Sequence, residues 1–222
     1  MSPAGRSWQV VVLAKAPVAG RVKTRLCPPL SPADAARLAR AALADTLDAA
    51  VASGARRCVL ALDGRPGRWL PAGVDVVHQR SGGLGARLAG ALEDAWSGDA
   101  RPMVLVGMDT PQLTAAMLDE AARVLTDGRA DTVLGPAEDG GFWAIGVRRP
   151  APGLFAGVPM STARTGDAQL ARAAELGHRC ERLAVLRDVD VFADALAVAA
   201  QAPSTRFAGE VRRLRVAVDA RG

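Results

Sequence analysis

Short runs of β-branched and other apolar residues alternate with longer Ala- and Leu-rich segments along the chain. The short runs predict strands at 9–14, 58–62, 74–78, 103–106, 132–134, 142–147 and 182–186. The longer segments predict helices at 32–53, 84–96, 114–126, 168–176, 191–200 and 204–216. Strands that alternate with helices favour an α/β fold, in which helices cover both faces of a mostly parallel sheet. We expect one domain over residues 1–222.

The composition is that of a folded protein. Hydrophobic residues make up 50% of the chain and the formal net charge is only +5, which excludes an intrinsically disordered chain. The longest apolar runs, such as 10–14, are far shorter than the roughly 20 residues that cross a bilayer. The cysteines Cys27, Cys58 and Cys180 are scattered and odd in number, which excludes a disulfide framework and favours a reducing cytoplasm.

The basic residues do not indicate nucleic-acid binding. Aromatic residues are only 4% of the chain and the arginines are spread along it, whereas nucleic-acid-binding proteins cluster their cations and add stacking residues. Of the 28 Lys and Arg residues, only Lys15 and Lys23 are lysines. Because all the remaining basic residues are arginines, we expect these two positions to need a compact ammonium group.

The loop after the first predicted strand carries Lys15, Gly20, Arg21, Lys23 and Arg25. Ligands of open parallel sheets bind at the carboxyl ends of the strands, so this loop is well placed for binding. Four cations and a glycine at such a strand end predict a cradle for phosphate groups. The loop is not a Walker A motif, because Val rather than Gly precedes its second lysine. A solvated basic loop is the alternative.

Two further strand ends carry candidate binding residues. After the third strand, Gly83 and Gly85 precede Arg87, which favours a backbone pressed against a ligand; a flexible connector is the alternative. After the fourth strand, Asp109 is a predicted ligand for Mg²⁺ or Mn²⁺, since these ions prefer oxygen ligands. Thr114 is the expected cap of the next helix, which leaves Asp109 free for the metal.

Near the end of the chain, Asp188 and Asp190 lie two residues apart in an extended segment, which places both on one face. Asp190 is the predicted second metal ligand, opposite Asp109. A surface charge explains Asp188 equally well. Asp194 is expected to cap the following helix.

Asp139, Gly140 and Gly141 lie between the fifth and sixth strands and precede two aromatic residues. This composition suits a sugar or another polyol as acceptor, with Asp139 as its hydrogen-bond partner or as general base. A hairpin with an Asp-Gly turn is the alternative explanation.

The motifs K-x-P-x-x-G-x-x-K-T-R-L, L-G-x-R, G-x-D-x-P, G-P-A-x-D-G-G and D-V-D occur in this order over about residues 10–196. Together they resemble small bacterial GT-A-like transferases, which are often described only as glycosyltransferase A or as a domain of unknown function and are relatives of the 2-phospho-lactate guanylyltransferases. Many of these relatives continue the last motif as D-T-P-E-D-L, whereas this chain has Val-Phe-Ala in place of Thr-Pro-Glu.

The resemblance implies a Rossmann-like GT-A fold, that of the nucleotide-diphospho-sugar transferases. It implies that the first loop and residues 83–87 hold the base and phosphates, and that Asp109 holds the metal. It also implies an acceptor side formed by Asp139 with Ser161 and Thr162.

The leading hypothesis is a metal-dependent glycosyltransferase that uses a nucleotide-diphosphate sugar, with Lys23 and Asp139 as catalytic residues and Mg²⁺ or Mn²⁺ as cofactor. The cations of the first loop also fit a nucleotidyltransferase that joins a nucleoside triphosphate to a phosphorylated small molecule. A non-catalytic nucleotide-binding module is a third hypothesis. Nucleophilic hydrolysis is disfavoured, because the sequence has no G-x-S-x-G motif.

Overall fold

The structure, a computed structural model, describes residues 7–219, which contain one seven-stranded sheet and six α-helices. The strands are β1 (Gln9–Lys15), β2 (Arg57–Asp63), β3 (Val74–His78), β4 (Met103–Gly107), β5 (Thr132–Pro136), β6 (Phe142–Val147) and β7 (Cys180–Arg182). The helices are α1 (Pro32–Ala52), α2 (Leu84–Gly98), α3 (Ala115–Thr126), α4 (Thr165–Glu175), α5 (Phe192–Gln201) and α6 (Arg206–Asp219), with a 3-10 helix at Thr24–Leu26. None of these helices has the length and apolar character needed to cross a membrane.

Six of the seven strands run in the same direction, which confirms the predicted mostly parallel sheet. The order across the sheet is β3-β2-β1-β4-β6-β5-β7, and β6 is antiparallel to both of its neighbours. At the centre, Gln9 of β1 is in register with Arg57 of β2 and with Met103 of β4. The carboxyl ends of β1 to β5 therefore meet at one edge of the sheet, where the predicted binding loops lie.

The central strand β1 is buried on both faces, which explains its uninterrupted apolar sequence. Val10 and Val12 pack in one core cluster with Leu43 of α1. Val11 points to the opposite face and packs in a second cluster with Leu88 of α2. Helices therefore cover both faces of the sheet, as predicted.

A third apolar cluster joins the C-terminal helices to α1 and to the first loop. Phe207 of α6 and Val198 of α5 pack in it with Leu38 of α1. Leu26, which is fully buried in the same cluster, belongs to the 3-10 helix directly after Lys23. An apolar anchor thus fixes the end of the first loop, which is not a freely solvated segment.

Three elements differ from the predictions. The strand predicted at 182–186 overlaps β7 only at Arg182, where the regular strand ends. Leu186 then forms an isolated parallel bridge with Ala137, and between them the carbonyl of Ala184 accepts the indole N–H of Trp143. The helix predicted from residue 168 begins at Thr165, since the backbone of its first turn is bonded to the β5–β6 turn. The sequence pattern did not predict the 3-10 helix at Thr24–Leu26. Its apolar anchor packs against distant segments.

Asp45 of α1 holds the start of α6, because its carboxylate accepts the backbone N–H groups of Arg206 (3.1 Å) and Phe207 (2.8 Å). We expect Asp45→Ala to lower the free energy of unfolding by about 1–2 kcal/mol, as the loss of a helix cap does. Asp48→Ala is the matched control, because its exposed carboxylate pairs only with the Arg206 side chain and contributes under about 1 kcal/mol. Urea unfolding measures both, and equal losses would contradict the capping role.

Candidate functional site

Lys23 joins the first loop to two other segments of the chain. Its ammonium group lies 2.6 Å from a carboxylate oxygen of Asp109 and donates a hydrogen bond to the backbone carbonyl of Val189. Only 11% of the Lys23 side chain is exposed. Its backbone has a left-handed φ of 51°, which is uncommon outside glycine, and leads into the 3-10 helix. The ammonium group is therefore held in one place between the ends of β1 and β4.

The segment after β7 crosses the carboxyl edge of the sheet from β5 to β4. The N–H of Leu186 donates to the last residue of β5 (3.1 Å), and the N–H of Val189 donates to the carbonyl of Asp109 (2.9 Å). Val189 is buried, while Asp188 and Asp190 on either side of it both line the cleft. The predicted alternation of this extended segment is confirmed.

The start of α5 fixes the backbone at Asp190. A carboxylate oxygen of Asp194 accepts the backbone N–H groups of Asp190 (3.2 Å) and Val191 (3.0 Å), so Asp194 is the predicted cap. Asp194 caps α5 although this chain has Val-Phe-Ala where many of the proteins that it resembles have Thr-Pro-Glu. The carboxylate of Asp190 pairs with the guanidinium of Arg25 from the first loop.

Five cations line a cavity of about 320 Å³ above the ends of β1 and β4, which we call the basic cavity. Every cation that the sequence predicts for phosphate binding is in this lining. Lys15 and Arg21 have no carboxylate within 4.0 Å in residues 7–219, whereas Arg87 lies 3.8 Å from Asp63. The charged lining residues are Lys15, Arg21, Lys23, Arg25, Arg87, Asp109 and Asp190.

The glycines of the predicted binding set lie beside the basic cavity and are not part of its lining. Gly83 directly precedes α2, and Gly85 lets that helix pack closely, because an added Cβ would lie 3.3 Å from Cε of Met160. Gly20 has a left-handed φ of 77° and open space beside it. Close contact of these glycines with a ligand stays a prediction.

Four carboxylates line a second cavity of about 400 Å³, which we call the acidic cavity; they are those of Asp109, Asp139, Asp188 and Asp190. Of the predicted acceptor residues, Gly140 is not in this lining, whereas Asp139, Gly141, Ser161 and Thr162 are. The two cavities adjoin, because they share Leu13, Arg25, Leu84, Asp109 and Asp190. Both predicted metal ligands therefore lie at the junction of the two cavities.

The β5–β6 turn holds Asp139 at the mouth of the acidic cavity. One oxygen of its carboxylate accepts the N–H of Gly141 (2.7 Å) within the hairpin, so the local hairpin interpretation is also confirmed. Gly140 has a φ of 86°, and an added Cβ would lie 2.1 Å from the carbonyl oxygen of Ala163. Only glycine lets the turn approach this loop so closely.

Two residues of the acidic cavity carry signals that sequence reasoning missed or left open. Burial and the neighbouring Asp139 carboxylate raise the pKa of Asp188, with a smaller contribution from Asp109. Thr110 lies in the lining and is buried, and its hydroxyl group has no hydrogen-bond partner among the described residues. Thr110 is the second x of the motif G-x-D-x-P. The sequence shows this motif, but it cannot show that the hydroxyl group lacks a partner among the described residues.

The residues at the junction fit a divalent cation that also binds phosphate. Within residues 7–219, no group of three or more His, Cys, Asp or Glu side chains could hold a metal ion alone. Mg²⁺ needs no such group, because it is usually bound by one or two carboxylates together with substrate phosphates and water. Asp109 and Asp190 supply two carboxylates, each 47% exposed, beside the cations that could hold those phosphates.

Comparison with solved structures identifies the fold. A protein from Desulfovibrio desulfuricans G20, provisionally assigned as a nucleotide-diphospho-sugar transferase, superposes with a TM-score of 0.86 at 22% identity, over 97% of this chain and 98% of that chain. CMP:2-keto-3-deoxy-manno-octonic acid synthetase in complex with CTP gives 0.55 at 14% identity, over 88% and 98%. A cytidylyltransferase from Leptospira borgpetersenii gives 0.54 at 12% identity, over 95% and 94%. The predicted fold of the nucleotide-diphospho-sugar transferases is confirmed.

Among curated proteins, none matches the sequence. A family model described as "uncharacterized protein conserved in bacteria (DUF2064)" matches residues 35–162, which is more than half of the chain. The matched span includes Asp109 and Asp139, whereas the first loop and Asp190 lie outside it. The chain therefore belongs to the DUF2064 family of bacterial proteins.

Proposed function

We propose that this protein is a metal-dependent glycosyltransferase that moves a sugar from a nucleotide-diphosphate donor to a hydroxyl group of a small acceptor. One observation carries the proposal: a basic and an acidic cavity adjoin at Asp109 and Asp190. A transferase needs such an arrangement, because a polyanionic leaving group and an acceptor must meet at one point.

The basic cavity is suited to the diphosphate of the donor. Lys15 and Arg21 are exposed and have no carboxylate partner in the described chain, so their charges are available to phosphate oxygens. Lys23 is held against Asp109, beside the point where the donor bond would break. A fixed cation there stabilises the negative charge that develops on the departing nucleoside diphosphate. Lys23 is accordingly the proposed catalytic cation.

Asp109 and Asp190 are the proposed ligands of Mg²⁺ or Mn²⁺. In a transferase of this kind, the metal supplies charge neutralisation on the diphosphate leaving group. Lys23 and Arg25, which pair with these carboxylates, keep both side chains at the junction of the cavities. The same two cations contribute positive charge to the phosphate side.

Asp139 is the proposed general base for the acceptor hydroxyl. Its carboxylate lines the acidic cavity and accepts only one backbone N–H in the described chain, which leaves lone pairs for a substrate proton. Asp188 lies in the same lining, and its raised pKa brings its carboxylate nearer to the range in which a general base works best. Asp188 is therefore the second candidate for this role.

A nucleotidyltransferase is the second candidate function. The five cations of the basic cavity are favourable for a triphosphate, which carries more negative charge than a diphosphate. The fold is also shared with a synthetase that binds CTP. In this alternative, the acceptor attacks the α-phosphorus of a nucleoside triphosphate and pyrophosphate leaves.

The identity of the leaving group distinguishes the two functions. We expect incubation with a panel of nucleotide sugars, a small polyol and Mn²⁺ to release nucleoside diphosphate, which anion-exchange chromatography detects. Nucleoside triphosphates under the same conditions should release no pyrophosphate. Pyrophosphate release without any turnover of nucleotide sugars would replace the glycosyltransferase proposal with the alternative.

Asp109→Asn should lower kcat/KM at least about 100-fold, because even a residue that only orients a metal ligand contributes 10- to 100-fold. The extra thermal stability that a nucleotide gives in the presence of Mn²⁺ should also disappear, since that gain follows binding by mass action. Asp127→Asn, which also removes one carboxylate charge but at the residue after α3, is the control. Full activity and undiminished Mn²⁺-dependent nucleotide binding in Asp109→Asn would refute the metal role.

Lys23→Arg should destabilise the protein by about 1–3 kcal/mol, because a planar guanidinium is larger than the enclosed ammonium that it replaces. Turnover should fall as the charge moves away from Asp109. Lys15→Arg changes an exposed side chain and should leave the free energy of unfolding within about 0.5 kcal/mol of the unmodified protein. Thermal unfolding and steady-state rates measure these effects, and equal stability of the two variants would show that Lys23 is not sterically confined.

A further inference from the structure

We infer that the acceptor is a hydroxyl compound without phosphate or carboxylate groups, and that binding is stronger when it carries an ammonium group. The inference rests on the proposed function, because it assigns the acidic cavity to the acceptor. The proposed activity leaves open which class of acceptor binds in the acidic cavity.

The charges of the acidic cavity exclude an anionic acceptor. Its lining holds four carboxylates, and in the described residues its one cation is Arg25, which is already paired with Asp190. A metal at Asp109 and Asp190 would leave Asp139 and Asp188, neither of which has a cation within 4.0 Å in residues 7–219. A phosphate group placed beside them would meet like charge without a partner.

The uncharged part of the lining suits a polyol with one apolar side. Leu84, Leu88 and Phe142 give the lining an apolar wall. Ser161 and the unpartnered hydroxyl of Thr110 add neutral hydrogen-bonding groups. A buried hydroxyl without a partner is costly, and a substrate hydroxyl could satisfy it. Such a wall and such polar groups match the C–H face and the hydroxyl groups of a sugar ring.

The contrast with the basic cavity supports the same conclusion. Five cations line the basic cavity, whereas the acidic cavity shares only Arg25 with it and has no other cation in its lining within the described residues. Charge-assisted hydrogen bonds from cations are the strong contacts that a phosphate group makes. Within the described residues, the lining of the basic cavity offers several such cations and that of the acidic cavity offers only Arg25, which is paired with Asp190.

Three sugars with one carbon skeleton test the inference: glucosamine, glucose and glucose 6-phosphate. Their binding is measured by ligand-observed NMR at neutral pH. Mg²⁺ and pyrophosphate are present in excess to occupy the basic cavity, so that the phosphate group of glucose 6-phosphate cannot bind there. We expect affinity to fall in that order, with at least about a tenfold difference between the first and the last, or about 1.4 kcal/mol.

The double variant Asp139→Asn/Asp188→Asn removes both unpaired charges, and the carbonyl of asparagine can still accept the N–H of Gly141. In this variant, the difference in affinity between glucosamine and glucose 6-phosphate should shrink to less than about threefold. Asp127→Asn should leave that difference unchanged. Circular dichroism confirms that each variant is folded.

Three outcomes overturn the inference: glucose 6-phosphate binds at least as tightly as glucose, the double variant keeps the full discrimination, or none of the sugars binds. These measurements need no turnover of a donor. A protein that ranks the sugars as expected but releases no nucleoside diphosphate therefore refutes the proposed function alone. One that turns over nucleotide sugars but prefers the phosphorylated acceptor refutes the inference alone.

Discussion

The site depends on one ammonium group with little room to move. Lys23 contacts the Asp109 carboxylate after β4 and the Val189 carbonyl in the segment after β7, while the 3-10 helix behind it is anchored by the buried Leu26. Three parts of the chain that are distant in sequence are thereby held at the same sheet edge. A lysine suits this position because its charge is compact and its stem is long enough to reach past the loop.

The two cavities that adjoin near Lys23 differ in the charge of their linings. Lys15, Arg21, Lys23 and Arg87 line only the basic cavity, Asp139 and Asp188 line only the acidic cavity, and Arg25 lines both. Under the proposed function, the basic cavity would bind a nucleotide's phosphates and the acidic cavity would accept a proton from a hydroxyl group. The fold is shared with proteins described as a CMP-sugar synthetase and as a cytidylyltransferase, and a fold alone does not decide function. The specific chemistry therefore has to be sought in the side chains at the strand ends and not in the sheet.

The sequence predicted most of the sheet and helices because their signals are local. The uninterrupted apolar run of β1 and the caps Ser31 and Thr114 depend on near neighbours in the chain, and the structure confirms them. The strand-end rule also predicted that the charged candidates lie at one sheet edge, where they line the two cavities; their roles stay predictions. Signals that depend on tertiary packing were not available. The regular part of β7 ends at Arg182, and the raised pKa of Asp188 comes from burial and from the carboxylate of Asp139, which is distant in the chain.

We expect a nucleotide's phosphates and a divalent cation to meet at the junction of the basic and acidic cavities. Anomalous scattering from a crystal grown with Mn²⁺ and a non-hydrolysable nucleotide sugar tests it most directly. We expect one manganese peak within coordination distance of both Asp109 and Asp190, with the diphosphate on the side of Lys15 and Arg21. A manganese peak bound to other residues, or phosphates among Asp139 and Asp188, would contradict it.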